Sequence, residues 1–495
     1  MLRKIRLTLA IVVFTLITLL LLDFTDTLLV WLEWLGDIQF VPAVLALNAV
    51  VIAALVLLTL VCGRIYCSVI CPLGVMQDLV SWIHGKKKKN RFTYSPAKSW
   101  LRYAMLAVMV AALVGGAGSL VALLEPYSNY GRFVINLFQP LYMWGNNGLA
   151  AIAEHYNSYA FYSVDVWMKS LPTFIVAAVM FVLVIVLAWR GGRTYCNILC
   201  PVGTILGTLA RFSWLKVRFD EDKCRNCGLC TKNCKASCID FKSHKVDYSR
   251  CVACGNCLEK CNFGALTYGH KAAKPAAKET AAHDTADTAR RAMLVGTAIV
   301  GADLALAQAG KKVDGGLAVI EDKQEPKRST PLTPPGSMSA RNMATRCTAC
   351  QLCVSACPNQ VLRPSTDLMT MMQPVMSYER GYCRPECNRC SQLCPTGAIK
   401  PIGTDEKAAT QIGHAVWIKK NCVVITDGVS CGNCARHCPS GAIEMVPLDA
   451  NDENSPFVPA VNTEKCIGCG ACEHLCPSRP YSAIYVEGHE QHRTI

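Results

Sequence analysis

Through the first 220 residues apolar positions follow one another with few polar interruptions, and beyond residue 220 that pattern stops. Four apolar stretches reach membrane-spanning length, at roughly residues 5–23, 40–62, 101–124 and 171–189. A buried soluble helix imitates one such stretch but hardly four, so the pattern predicts an α-helical membrane bundle over residues 1–220. The remainder is polar and rich in Cys, with two compact segments, 221–270 and 346–495, joined by a linker over 271–345.

The linker is not uniform. Residues 270–290 are rich in Ala, Lys, Thr and Asp, and residues 311–345 in Pro, Lys and Ser. Between them Arg290-Arg291 precedes a weakly apolar run that ends in Ala305-Leu306-Ala307-Gln308-Ala309, the parts of a twin-arginine export signal. Segment 290–309 then predicts a fifth span or a cleaved signal; the alternative is an ordinary amphipathic or buried helix, in view of Asp303.

Charge sets the expected orientation. Arg3, Lys4 and Arg6, then Arg64, Lys86 to Lys89, Arg91, Lys98 and Arg102, then Arg190, Arg193, Arg211, Lys216 and Arg218 flank the apolar stretches on one side. Residues 24–37 carry no Lys or Arg, and 125–170 only Arg132 and Lys169. By the positive-inside rule the N-terminus and 221–270 face the cytoplasm of a bacterial inner membrane, and export of 310–495 places it in the periplasm. The net charge of +14 is concentrated beside the membrane, where it sets topology and meets anionic headgroups, so no nucleic-acid role is expected.

The chemistry lies in the Cys pattern. C-x2-C-x2-C-x3-C occurs as Cys224, Cys227, Cys230, Cys234 and as Cys251, Cys254, Cys257, Cys261. Four further motifs follow: Cys347, Cys350, Cys353, Cys357; Cys383, Cys387, Cys390, Cys394; Cys431, Cys434, Cys438 completed by Cys422; and Cys466, Cys469, Cys472, Cys476. This is the ligand spacing of [4Fe-4S] clusters, six in all, and by the crossing rule Cys261 completes the first set and Cys234 the second, with Cys238 an alternative to Cys234. Disulfides or structural zinc are the competing readings for 30 Cys, but neither repeats runs of four with Pro after the last. Cys62 and Cys238 otherwise read as small buried residues. No C-x-x-C-H, dinucleotide-binding Gly pattern, P-loop, H-E-x-x-H or Ser-His-Asp set occurs, and His84, His155, His414 and His437 favour surface or packing roles.

Gly63-Arg64-Ile65-Tyr66-Cys67-Ser68-Val69-Ile70-Cys71-Pro72-Leu73-Gly74 recurs 129 residues later as Gly192 to Gly203, with seven of twelve positions identical. Each copy presents two thiols four residues apart beside a helix N-terminus, which stabilises thiolates. Cys67, Cys71, Cys196 and Cys200 are therefore open to three readings: an additional iron–sulfur cluster, a redox-active dithiol pair, or buried structural thiols. Tyr66, Arg64, Tyr195 and Arg193, beside them, are candidate quinol contacts or interfacial anchors.

The doubled G-R-x-Y-C-x3-C-P, the four spans and the two-cluster segment resemble the NapH-type membrane ferredoxins, relatives of the NosR and CcoG groups, over about residues 1–270. From Arg346 onward the chain resembles the NapG-type four-cluster periplasmic ferredoxins, as if the two were joined end to end. That resemblance implies pairing of the first motif with the fourth and the second with the third: Cys476 with Cys347, Cys350 and Cys353; Cys357 with Cys466, Cys469 and Cys472; Cys438 with Cys383, Cys387 and Cys390; Cys394 with Cys422, Cys431 and Cys434. It also implies a membrane quinol dehydrogenase, taking electrons from menaquinol or ubiquinol to a periplasmic oxidoreductase or cytochrome. Two other functions compete: a CcoG-type maturation factor that reduces or hands over a metal, and an outward electron conduit fed by cytoplasmic ferredoxin.

Overall fold

A computed structural model describes residues 2–23, 27–87, 92–270, 321–452 and 454–495. The export-type segment 290–309 lies outside the described residues. Ferredoxin-type domains flank an apolar helical domain, and the expected spans are only partly continuous.

Helices Leu2–Leu22 and Leu171–Gly191 are long and apolar enough to cross a membrane. The other two expected spans are broken. The second divides into Phe40–Leu45 and Ala49–Cys62, because Leu47 takes a positive φ and the Asn48 side chain caps the new helix by accepting from the Val51 N–H. The third divides into Ser99–Val114 and Gly118–Leu124 at Gly115-Gly116, where Gly116 has φ +72°. Segment 125–170, expected to be a loop, folds into helix Pro126–Phe133, a π-helical turn over Val134–Phe138 and helix Gln139–His155.

The outside of this bundle is apolar. Ile5, Leu9, Val50, Leu57, Val110, Val114, Val179 and Val182 are all exposed, an arrangement that suits lipid better than water. Exposed aromatics gather at both ends, Trp82, Trp100, Phe212 and Trp214 at one, Trp31, Trp34, Tyr156 and Tyr162 at the other, as in interfacial belts.

Among the described residues the ferredoxin-type parts contribute five two-stranded antiparallel sheets and short helices. Lys216–Phe219 pairs with Leu266–Gly269 to close the 221–270 domain, and Thr410–Trp417 pairs with Ile484–Thr494 across the C-terminal domain. Residues 321–345, expected as linker, belong to that domain instead. Lys323 Nζ donates to the carbonyls of Glu473, His474 and Cys476, Arg328 pairs with Glu473, and Ala340–Arg346 is helical.

Helix Leu2–Leu22 ties the parts together. Near its start Arg3 pairs with Glu259 of the 221–270 domain. Farther along, Thr18 meets the Tyr130 hydroxyl at 2.6 Å, and Ile17, Leu20 and Leu21 share a core with Leu352 of the C-terminal domain. Twenty-one residues of helix rise about 31 Å, close to the hydrocarbon thickness of a bilayer. The two ferredoxin-type parts thus sit toward opposite ends of one membrane-length helix.

Candidate iron–sulfur sites

The ligand loops share one backbone device. Residues two and four beyond the first Cys of a motif take positive φ: Asn226 and Gly228, Ala253 and Gly255, Ala349 and Gln351, Gly468 and Gly470. Alternating handedness curls successive N–H groups toward the enclosed space, a concavity that favours anionic clusters. At Gly470 no side chain is possible, since a Cβ would collide with the Tyr378 ring. The two motifs with irregular spacing, at Cys383 and Cys431, lack this alternation.

Four thiols gather in each set. Cys224, Cys227, Cys230 and Cys261 line a cavity walled by Phe219, Phe241 and Phe263. Cys234 lies beside Cys251, Cys254 and Cys257, and the Cys238 sulfur is 3.5 Å from that of Cys234. The Cys238 thiol beside it holds the Cys234 thiol below the ordinary range, which favours the thiolate at Cys234.

In the C-terminal domain the fourth ligands differ from those the resemblance implied. Cys394, not Cys476, stands by Cys347, Cys350 and Cys353. Cys357 shares a cavity with Cys383, Cys387 and Cys390, and Cys438 one with Cys466, Cys469 and Cys472. Cys476 falls to Cys431 and Cys434, with Cys422 buried in the same core. Neighbouring motifs pair because a short hairpin reverses the chain near each pair: Leu362–Pro364 with Pro374–Met376, and Ile443–Pro447 with Phe457–Val461. Closing such a short loop costs less entropy than closing the long one between first and fourth motifs.

The donor sets fit [4Fe-4S] clusters in type, and three of them enclose a cavity lined by their four Cys. Backbone amides already aim at sulfur, from Ala349 to Cys347, Ile399 to Cys394, Ala442 to Cys438 and Ala483 to Cys476, at 3.3–3.4 Å. Burial pushes the Cys350 and Cys469 thiols up to about 12, so without iron they hold their protons at neutral pH.

The sets follow one another in space. Cys230 of the first set bears on Cys257 of the second. Lys235, next to Cys234, is 3.5 Å from Asp78 of the apolar helical domain, and the Ser249 carbonyl, close before Cys251, accepts from Arg64 and Arg102. On the far side Arg132 donates to the Ala349 carbonyl, Asn136 to Gln351 and Gln139 to Ser355, around the Cys347 set. Cys390 then lies by Cys353, and the Cys383 N–H donates to the Cys469 carbonyl at 2.9 Å.

The duplicated segment stands between these two docking faces. Cys67, Cys71, Cys196 and Cys200 are buried together, in one core with Cys254 on one side and Cys350 on the other. Arg64 and Arg193 have no exposed surface, and each guanidinium donates to the carbonyl of the other copy's first Cys, Arg64 to Cys196 and Arg193 to Cys67. The Tyr66 hydroxyl donates to Gln39 Oε1 and accepts from the Phe40 N–H, while Asn129 donates to the Tyr195 hydroxyl. The four side chains expected at a quinol site are thus enclosed braces. Gln39, Gln77, Asp78 and Asn129, which complete this centre, went unread in the sequence; their signal is a polar side chain inside an apolar run.

These features define a protein with several iron–sulfur sites in ferredoxin-type domains set on an apolar helical base. A 4Fe-4S binding domain matches residues 44–91 and 173–220, and 4Fe-4S dicluster domains match residues 346–398 with 429–479 and, separately, 247–361. The methylamine utilization ferredoxin-type protein MauM of Methylobacillus flagellatus is 32% identical over 167 residues, covering 32% of this chain and 70% of the relative. The ferredoxin-type protein NapF of Escherichia coli (strain K12) is 28% identical over 181 residues, 36% of this chain and 99% of NapF. The ferredoxin-type protein NapG of the same organism is 28% identical over 154 residues, 29% of this chain and 65% of NapG. The chain belongs to the ferredoxin-type 4Fe-4S electron-transfer proteins. No solved structure matches it.

Proposed function

We propose that the protein is a transmembrane electron conduit, with residues 221–270 as its inner terminal and the C-terminal domain as its outer one. The observation that carries this reading is the docking of both ferredoxin-type parts on the same buried thiol core, from opposite sides. In the NapH-type picture the 221–270 domain is a side branch; here it stands in line. When loaded, the six [4Fe-4S] sets supply one-electron carriers. The chain's own residues fix their order and hold the ligands of successive sets against one another.

Exposure supports the two ends. Cys227 is the exposed ligand of the first set, flanked by exposed Lys223, Arg225 and Phe263. At the other end Cys431 and Cys434 are partly exposed beside the open loop 426–430 and Arg436. The basic residues at both ends suit acidic electron-transfer proteins, a reduced ferredoxin inside and a periplasmic oxidoreductase or cytochrome outside. Arg64 and Arg102, bound to the Ser249 carbonyl, lie on the side of residues 221–270, and basic residues there support a cytoplasmic face.

Oxidation of menaquinol or ubiquinol beside the repeat draws no support from the enclosed Arg64, Tyr66, Arg193 and Tyr195. Metal hand-over by the repeat thiols has the same difficulty, since all four are buried. The test is anaerobic addition of reduced ferredoxin, then menaquinol, to the detergent-purified protein while following its visible absorbance. Full bleaching by ferredoxin is expected; bleaching by menaquinol alone would return the quinol dehydrogenase reading.

A further inference from the structure

Six thiols belong to none of the six ferredoxin-type sets, and four of them meet between the inner and outer parts. Cys67 and Cys71 come from one copy of the duplication, Cys196 and Cys200 from the other. All are buried, and the other three lie near enough for their charges to bear on Cys71.

Each of the four sulfurs faces a donor. Arg64 Nη2 approaches Cys67 at 3.7 Å, Gln77 Nε2 approaches Cys196 at 3.1 Å and the Gly203 N–H approaches Cys200 at 3.4 Å. The Gly74 N–H occupies the equivalent position at Cys71. Donors aimed at sulfur favour the thiolate over the thiol. Two of them begin helices Pro72–Lys87 and Pro201–Ala210, whose positive ends point the same way.

The charges make the same demand. Arg64 is enclosed, and its partners are Asn197, two backbone carbonyls and the Cys67 sulfur, with no carboxylate among them. Arg64 Nε and Arg193 Nη2 are buried without a protein partner. Asp78 must answer Arg6, Arg193 and Lys235 together. A buried excess of positive charge on this scale calls for an anion.

A single ion does not meet that demand. Among the described residues no three His, Cys, Asp or Glu converge on one metal ion. The ferredoxin-type sets show the same wider spread, as expected when each thiolate binds a different iron of a cluster. A dithiol that exchanges with a partner protein needs an accessible sulfur, and none of these is accessible.

We propose that Cys67, Cys71, Cys196 and Cys200 ligate one further iron–sulfur cluster, shared across the duplication with two thiolates from each copy. The 4Fe-4S binding match covers each copy separately, yet each copy brings only two of these thiols, so neither half is a complete site. Ligation converts four thiols to thiolates and releases four protons. Arg64 and Gln77 are positioning residues that set the charge and donor field around the sulfurs. The proposal rests on the conduit reading for its use, since it fills the gap between Cys254 and Cys350, but not for its chemistry.

The test uses the full chain, purified anaerobically, with iron and acid-labile sulfide measured per chain and low-temperature paramagnetic spectra taken after reduction. The double variant Cys67→Ser, Cys196→Ser is expected to lose about four iron and four sulfide and one spectral component, with the ferredoxin-type signals retained. Cys62→Ser is expected to lose none. Should the double variant fail to fold, Gln77→Leu, which copies the Leu206 of the second repeat, is expected to keep all iron and lower the potential of one component. Equal iron and sulfide in the double variant, bound zinc in place of iron, or an unmoved potential in Gln77→Leu overturns the proposal. A chain that holds the additional cluster yet passes no electrons between its ends sinks the conduit and leaves this site standing.

Discussion

The two copies of the duplication share seven of twelve residues and serve different neighbours. Their shared part is symmetrical: each Arg reaches the opposite copy's Cys carbonyl, and Gly74 and Gly203 leave room for it, since a Cβ at either would collide with that carbonyl oxygen. Just beyond, the copies part. The first continues as Gln77-Asp78, whose carboxylate holds Arg6, Arg193 and Lys235. The second continues as Leu206-Gly207, and at Gly207 the bare backbone admits the Ser249 carbonyl and Arg102. Symmetry builds the thiol centre, and departure from symmetry seats the 221–270 domain on it.

The comparison breaks most severely at Asp78. Asp78→Asn leaves buried cations without their counter-charge, and the expected loss is about 3–5 kcal/mol of stability. Thermal unfolding of the detergent-solubilised protein would show it, whereas Asp427→Asn on the exposed outer loop serves as the silent control. A smaller effect is expected from Gly207→Ala, about 1–3 kcal/mol from forced displacement of Ser249. Limited proteolysis should then cut near residue 221 faster, while Gly145→Ala, where a Cβ meets nothing, should not change the rate.

A finer contrast separates the two inner sets. Only the second has an additional thiol, Cys238, against its fourth ligand. Cys238→Ala should leave iron content unchanged and lower the potential of that one set, by an amount on the order of one hydrogen bond. Loss of iron in this variant would make Cys238 a ligand instead.

The smallest effect concerns the C-terminal domain alone. Burial lowers the His492 pKa to about 4, below the roughly 6.5 of an unfolded His. The neutral ring is favoured in the fold, so stability is complete above about pH 6.5 and falls as pH drops toward 4, by about 1 kcal/mol at pH 5.5. His492→Gln should flatten the melting temperature between pH 7 and 5.5.

How legible this was depended on how local each signal is. Ligand spacing is local, so each of the six Cys motifs could be read with its numbers, and the duplication announced itself by identity. Fourth-ligand pairing in the C-terminal domain depends on where hairpins reverse the chain, and the second and third spans break at Asn48 and at Gly115-Gly116, residues that apolar averaging over a long window smooths away. Enclosure of Arg64 and Arg193 was equally hidden, because a basic residue after an apolar stretch reads as an interfacial anchor. Only the folded chain shows that the 221–270 domain covers both.

Vectorial reduction in sealed vesicles tests the central claim most directly. The full chain would be inserted with residues 221–270 outside and a cytochrome trapped within, and a membrane-impermeant reductant added outside. Reduction of the trapped cytochrome, abolished in Cys196→Ser, is the predicted result. Reduction that proceeds unchanged in Cys196→Ser, or that begins only when quinol is added, would contradict a path through the duplicated thiols.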